Sequence, residues 1–198
     1  MIYTNKTISY YNQNAEEFVR NTINADMSAI REEFLMMIPR GGMILDLGCG
    51  SGRDSKSFID SGYKVVMIDG SIELCKAAQE LTKQEVICST FQEYQPKEIF
   101  DGIWACASLL HLQRNNIFEV VKRLANHLNV GGCFYMSFKY GNFSGERNGR
   151  YFTDLNEYEF NNIVFKIDDL KVYKMIITND VRINRIDEKW LNVYLNKT

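Results

Sequence analysis

The residues best suited to chemistry lie in "MILDLGCGSGRD", residues 43–54, where an apolar run ends in Asp46 and glycines follow at every second position, Gly48, Gly50 and Gly52. A glycine-rich turn after a strand leaves bare backbone for a ligand at a helix N-terminus. A dinucleotide site would use G-x-G-x-x-G, and a P-loop would end in Gly-Lys-Ser/Thr. Neither spacing is present, and Gly52-Arg53-Asp54 stands where the P-loop lysine would be. An acid before a tight glycine turn suits a ligand with a cationic amine and no pyrophosphate. In "VVMIDGS", Asp69 lies where an acid can accept hydrogen bonds from ribose hydroxyls. It also fits as part of a helix start, with Ser71 as N-cap.

Further candidates follow the later apolar runs. His111, in "CASLLHLQRNN", is placed as a general base with a suitable pKa, the alternative being a histidine that caps the following loop. His127 reads as structural. Cys106 has no neighbour that would lower its pKa and is not expected to be a nucleophile. "KYGNFSGERNGRYFTDL" (139–155) reads as a glycine-rich, charged segment bordering a substrate, with Lys139, Arg147, Arg150 and Tyr151 able to clamp an anion. Arg182 and Arg185 could join that rim, and Thr153 or Asp154 reads as a helix cap. Tyr11, in "YYNQNAEEF", could touch ligand or simply pack.

These residues need elements to hold them. After residue 40 the apolar runs 43–47, 64–68, 85–88, 102–107 and 133–138 alternate with helical patterns at about 53–61, 71–82 and 115–128. Such alternation predicts βαβ units and a mostly parallel, doubly wound sheet. Only about a dozen residues separate Cys88 from Gly102, so that crossover has a short helix or none. "NIVFKIDDLKVYKMIIT" and "EKWLNVYLNK" alternate and predict antiparallel strands at the sheet edge. The first 40 residues, closed by Pro39, read as two helices forming a lid over a crevice.

The whole of 1–198 is expected to be a single domain, with 1–40 as the helical segment and 41–198 as the core. The net charge of −2 gives no general attraction to phosphate backbones, so nucleic acid is a disfavoured partner. No apolar run reaches membrane-spanning length, and no signal peptide is evident, so the expected location is the cytoplasm. Five scattered cysteines and two histidines predict no metal site.

In their order these motifs resemble the class I S-adenosylmethionine-dependent methyltransferases. "ILDLGCGSGRD" is similar to the family's first motif, "VVMIDGS" to the second and "FDGIWACASLLHL" to the fourth; "LNVGGCFYMSF" resembles the strand at its L-x-P-G-G turn. The resemblance implies a Rossmann-like seven-stranded sheet in the order 3-2-1-4-5-7-6, with strand 7 antiparallel. It implies S-adenosylmethionine as cofactor, lined by Gly48, Cys49, Gly50, Gly52 and Gly70. Asp46 would orient the loop or the methionine amine, and Asp69 would hold the ribose. Ile72 would pack on adenine, and Ala105 and Cys106 would lie near the methionine portion. Where the family often has an acid after its third strand, this chain has Thr90, leaving adenine to its hydroxyl and to Phe91.

The absence of Asn/Asp-Pro-Pro-Tyr/Phe after the fourth strand, and of a Pro-Cys pair, sets aside base-methylating enzymes and favours a small-molecule acceptor, by analogy with the bacterial tellurite-resistance methyltransferases. A monomer or homodimer is expected. The competing readings are a non-catalytic cofactor-binding module and an NAD-dependent oxidoreductase; the latter lacks a Tyr-x-x-x-Lys pair.

Overall fold

A computed structural model of the chain describes residues 2–182 and 185–198. Three helices come first: α1 (Ile2–Gln13), α2 (Ala15–Thr22) and α3 (Ser28–Leu35). This corrects the expected pair, because the helix ahead of Pro39 is separate from the two that carry Tyr11 and Phe18. There follow β1 (Met43–Leu47), α4 (Arg53–Asp60), β2 (Lys64–Asp69), α5 (Ile72–Thr82), β3 (Val86–Cys88) and β4 (Phe100–Ala105). A 3-10 turn at Leu109–His111 leads to α6 (Arg114–Ala125) and β5 (Leu128–Lys139). The chain ends with β6 (Ser144–Arg147), β7 (Arg150–Thr153), α7 (Glu157–Val164), β8 (Leu170–Asn179) and β9 (Lys189–Lys197).

The main sheet runs β3-β2-β1-β4-β5-β9-β8. β1 pairs in parallel with β2 and β4, whereas β9 pairs antiparallel with β5 and β8. This is the expected order with its antiparallel seventh strand. Four of the five residues of β1 are buried, as a central parallel strand requires. Alternate strand residues feed two cores. Leu45, Ile103, Phe134 and Met136 pack with α6 and α7 residues such as Val121 and Phe160. Ile44, Trp104, Tyr135 and Tyr194 pack with Phe34 of α3 and Phe58 of α4, and the Trp104 ring stacks on Tyr135 at 4.1 Å. Among the described residues no helix is long and apolar enough to cross a membrane.

Two further expectations are corrected. Segment 139–155 is not simply a loop, because β6 and β7 form a hairpin within it. The stretch "NIVFKIDDLKVYKMIIT" is strand only from Leu170; its start finishes α7. The cap of α7 is Asn156, which accepts from the Glu159 amide at 2.9 Å. Thr153 instead donates to the Leu112 carbonyl, and Asp154 pairs with Arg147.

Candidate active site

Between β1 and β4 the strand order reverses, and a parallel sheet opens a crevice there at its carboxyl edge. A cavity of about 400 Å³ occupies this position. One half is built by the β1 loop and the end of β2. The Gly48 and Cys49 amides both donate to the Ile68 carbonyl at 2.9 Å, folding the loop onto β2. Asp69 accepts from the Gly50 amide at 2.9 Å on one oxygen and from the Ser71 amide at 2.8 Å on the other. The Gly70 amide also bears on this carboxylate, which keeps acceptor capacity beyond its three backbone partners. Burial raises the Asp69 carboxyl above its ordinary range, against the pull of these amides.

The loop glycines divide by role. Gly48 has φ +85°, and a Cβ there would lie 2.5 Å from the Ser108 Cβ and 3.1 Å from the Phe91 ring. Gly50 lies under the Phe18 ring, and Gly70 under Ile8. Gly52 does not line the cavity; it opens α4, and a Cβ on it would meet the Ala78 backbone of α5 at 3.0 Å. Asp46 does line it, yet its carboxylate accepts from Ser55 of α4 at 2.5 Å. Burial, helped by nearby Asp54, pushes the Asp46 carboxyl up to about 7. Cys49 is a buried residue of the turn whose thiol is held well above its ordinary value by desolvation and by Asp69 and Asp46. Cys106 also lines the cavity, with a thiol that burial pushes up to about 12, so neither is poised as a nucleophile.

Ile72 is 46% exposed and Ala105 fully buried, and neither is among the lining residues. Thr90 and Phe91 are. The Thr90 hydroxyl donates to Glu93 at 2.8 Å and accepts from the Glu93 amide at 3.2 Å, so it is engaged in its own turn. Arg123 of α6, which sequence reasoning missed, donates to the Phe91 and Gln92 carbonyls and holds this loop from behind. Nothing in the residues around Arg123 signals that contact, because it spans 31 and 32 positions.

The other half brings together residues far apart in sequence. The Tyr11 hydroxyl lies 2.8 Å from His111 Nε2, and His111 Nδ1 lies 2.7 Å from the Tyr151 carbonyl oxygen. A carbonyl only accepts, so Nδ1 carries the proton and Nε2 accepts from Tyr11. Burial, with a smaller push from Arg150, lowers the imidazole to about 4. Arg150 donates to the Tyr11 oxygen at 3.3 Å and stacks over the rings of Tyr10 (4.3 Å) and Phe152 (5.2 Å). Arg150 and Phe152 line the cavity, but Tyr151 does not. Successive strand residues face opposite ways, and the Tyr151 hydroxyl bonds Ser144 on the other side at 2.8 Å.

The expected basic rim is largely neutralised. Lys139 pairs with Glu188, Arg147 with Asp154 and Arg182 with Asp180, while Arg185 lies 3.8 Å from Glu188. Beneath the cavity Asp54 takes Arg31 at 2.8 Å, Arg53 at 2.7 Å and the Trp104 indole at 3.1 Å. Among the described residues, Arg150 is the one lining cation without a carboxylate. The buried Ser108 hydroxyl and Arg150 Nε also have no hydrogen-bond partner there. Ser108 follows Ala107, whose φ of +51° marks a strained turn at the end of β4.

Residues 44–132 match the family model described as "Methyltransferase domain". YqeM of Bacillus subtilis (strain 168), which bears the name of a methyltransferase, is 31% identical over 102 residues. That match covers 48% of this chain and 41% of YqeM, so the chain spans about two fifths of this relative's length. Among solved structures, the Burkholderia thailandensis 1,6-didemethyltoxoflavin-N1-methyltransferase, bound to 1,6-didemethyltoxoflavin and S-adenosylhomocysteine, has a TM-score of 0.73 at 20% identity, covering 96% of this chain and 85% of that one. CcbJ methyltransferase of Streptomyces caelestis has a TM-score of 0.74 at 13% identity over 98% and 99% of the chains. TehB of Haemophilus influenzae has 0.71 at 19% over 93% and 67%.

Proposed function

We propose that this chain, a class I methyltransferase fold with a methyltransferase domain at residues 44–132, transfers a methyl group from S-adenosylmethionine to a small, anionic acceptor. The observation that carries the reading is a single cavity joining the Asp69–glycine-loop half to the half built from Tyr11, His111 and Arg150. The residues fit the cofactor. Asp69 keeps acceptor capacity beyond its backbone partners for a ribose hydroxyl, the glycines leave bare backbone, and the Ser108 hydroxyl is buried without a partner. When bound, the cofactor supplies an activated methyl on a positively charged sulfur.

The chain's part is to hold, orient and dry the reactants. Asp69 and the Gly48–Gly50 backbone hold the nucleoside side. Tyr11 and Phe18 of α1 and α2 cover the loop, the Phe18 ring lying over Gly50, and so restrict water. Leu110, Met27 and Ile30 add apolar surface to the cavity lining, and Arg150 adds a positive charge.

Titration calorimetry with S-adenosylhomocysteine tests the reading. Asp69→Asn keeps the shape but loses a charged acceptor, so its affinity should fall about 10- to 100-fold, the worth of a hydrogen bond to a charged group. No binding by the native protein, or equal binding by the variant, would sink the proposal.

A further inference from the structure

We infer that the acceptor is a singly charged anion whose own anionic atom takes the methyl group, held against Arg150 without a general base, and that His111 is a positioning residue for Tyr11. This rests on the methyl-transfer reading and specifies its substrate class.

Both His111 nitrogens are committed, Nδ1–H to the Tyr151 carbonyl and Nε2 to the Tyr11 hydroxyl. No lone pair on the ring is left to take a proton from an acceptor. The low imidazole pKa agrees with that geometry. The groups facing His111 are the Tyr11 hydroxyl and Arg150. Tyr10 lies beyond Arg150, and Asp69 acts on Tyr11 from across the cavity. None of these groups is a free base beside the ring.

Arg150 is the complement of this arrangement. Its guanidinium is fixed by three aromatic rings, those of Tyr10, Tyr11 and Phe152, and by one long hydrogen bond, with Nε unpartnered. A guanidinium held so, with no carboxylate among the described residues, calls for an anion from outside. A neutral amine acceptor would become cationic beside Arg150, where like charges repel. An anion reverses that sign. Its electron pair forms the new bond to the methyl carbon, the carbon–sulfur bond breaks toward sulfur, and two opposite charges become two neutral products. No proton moves. A largely apolar cavity favours a reaction in which charge disappears. Phenolates, thiolates, carboxylates and acidic ring nitrogens belong to this class; alcohols and alkylamines do not.

The test uses protein saturated with S-adenosylhomocysteine and 4-nitrophenol, whose phenolate absorbs visibly. The bound probe should show the phenolate spectrum at a mildly acid pH where most free probe is protonated, and should bind at least ~10-fold more tightly than nitrobenzene. Arg150→Gln should weaken probe binding by about 10- to 100-fold while leaving S-adenosylhomocysteine and nitrobenzene affinities unchanged. Arg150→Lys should retain the preference for the anion. His111→Gln, whose amide keeps an acceptor for Tyr11, should preserve both affinity and spectrum, whereas His111→Phe should weaken binding. Neutral phenol in the site, equal affinity for nitrobenzene, or loss of ionisation in both His111 variants would overturn the inference. Calorimetry before the probe is added separates the two proposals: without S-adenosylhomocysteine binding both fall, and with it only the acceptor class is at stake.

Discussion

At the scale of single residues, Gly48 and Gly52 are alike as letters and different as positions. Both have positive φ, where an alanine costs about 1–2 kcal/mol. The added Cβ then meets different neighbours. At Gly52 it reaches Ala78 of α5, so Gly52→Ala should destabilise the fold by about 2–5 kcal/mol through backbone strain and overpacking together and leave S-adenosylhomocysteine affinity nearly intact. At Gly48 it strikes Ser108 at 2.5 Å and displaces the β4 turn that walls the cavity. Gly48→Ala should therefore lose affinity more than about tenfold, since a shift of 1.4 kcal/mol suffices for that. Urea melts paired with calorimetry separate the two, and equal losses of affinity would contradict the division. Periodicity places both glycines in the loop but cannot say which contacts a helix. The same limit applies to Ile72 and Tyr151, whose motif positions were legible and whose directions were not.

At the scale of elements, the alternating core was legible because each parallel strand is a short apolar run between amphipathic helices. The β6–β7 hairpin was not read, although its signal was present. Asn148 and Gly149 have φ +50° and +76°, the two-residue turn that favours Asn-Gly between strands. Charges and three nearby glycines hid it as a loop. The N-terminal helices carry a prediction of their own. Asn12 accepts from the Ser71 hydroxyl at 2.7 Å and Phe18 covers Gly50, so α1 and α2 are tied to the loop and helix that hold the ligand. Saturating S-adenosylhomocysteine should slow tryptic cleavage after the exposed Arg20 several-fold, while cleavage after Lys166, in the turn behind α7, should change little. Equal slowing at both sites would mean global stabilisation and not a local clamp. Phe18→Ala should remove the difference.

At the scale of the molecule, what sequence reading could not see is convergence: Tyr11, His111 and Arg150 span 139 positions and meet only because β7 packs against both α1 and the 3-10 turn. The acids under the cavity are distributed in the same way and give the whole fold its pH response. Asp54, bound by Arg53, Arg31 and Trp104, has a carboxyl held below its ordinary value, chiefly by Arg53 acting against burial. Its stabilising contribution is present above the unfolded value near 4 and is lost as pH falls through the folded one. Asp46 has the opposite sign. Its folded value of about 7 lies above the unfolded one, so the native state binds the extra proton between them. Stability from this group is complete below about pH 4 and is lost as pH rises through about 7, at a slope of up to about 1.4 kcal/mol per pH unit. His111, lowered to about 4 by burial, works in the opposite sense below its unfolded value. The Asp46 response is therefore read as the difference in melting temperature between the ligand-free protein and Asp46→Asn, and stability falls in stronger acid. Asp46→Asn keeps an oxygen for the Ser55 hydroxyl and removes the titration. It should remove the falling component between pH 5 and 8, so that the variant loses less stability than the native protein as pH rises through 7, while leaving the acid limb in place. Thermal melts across pH decide this, and an unchanged slope in Asp46→Asn would assign the response to another group.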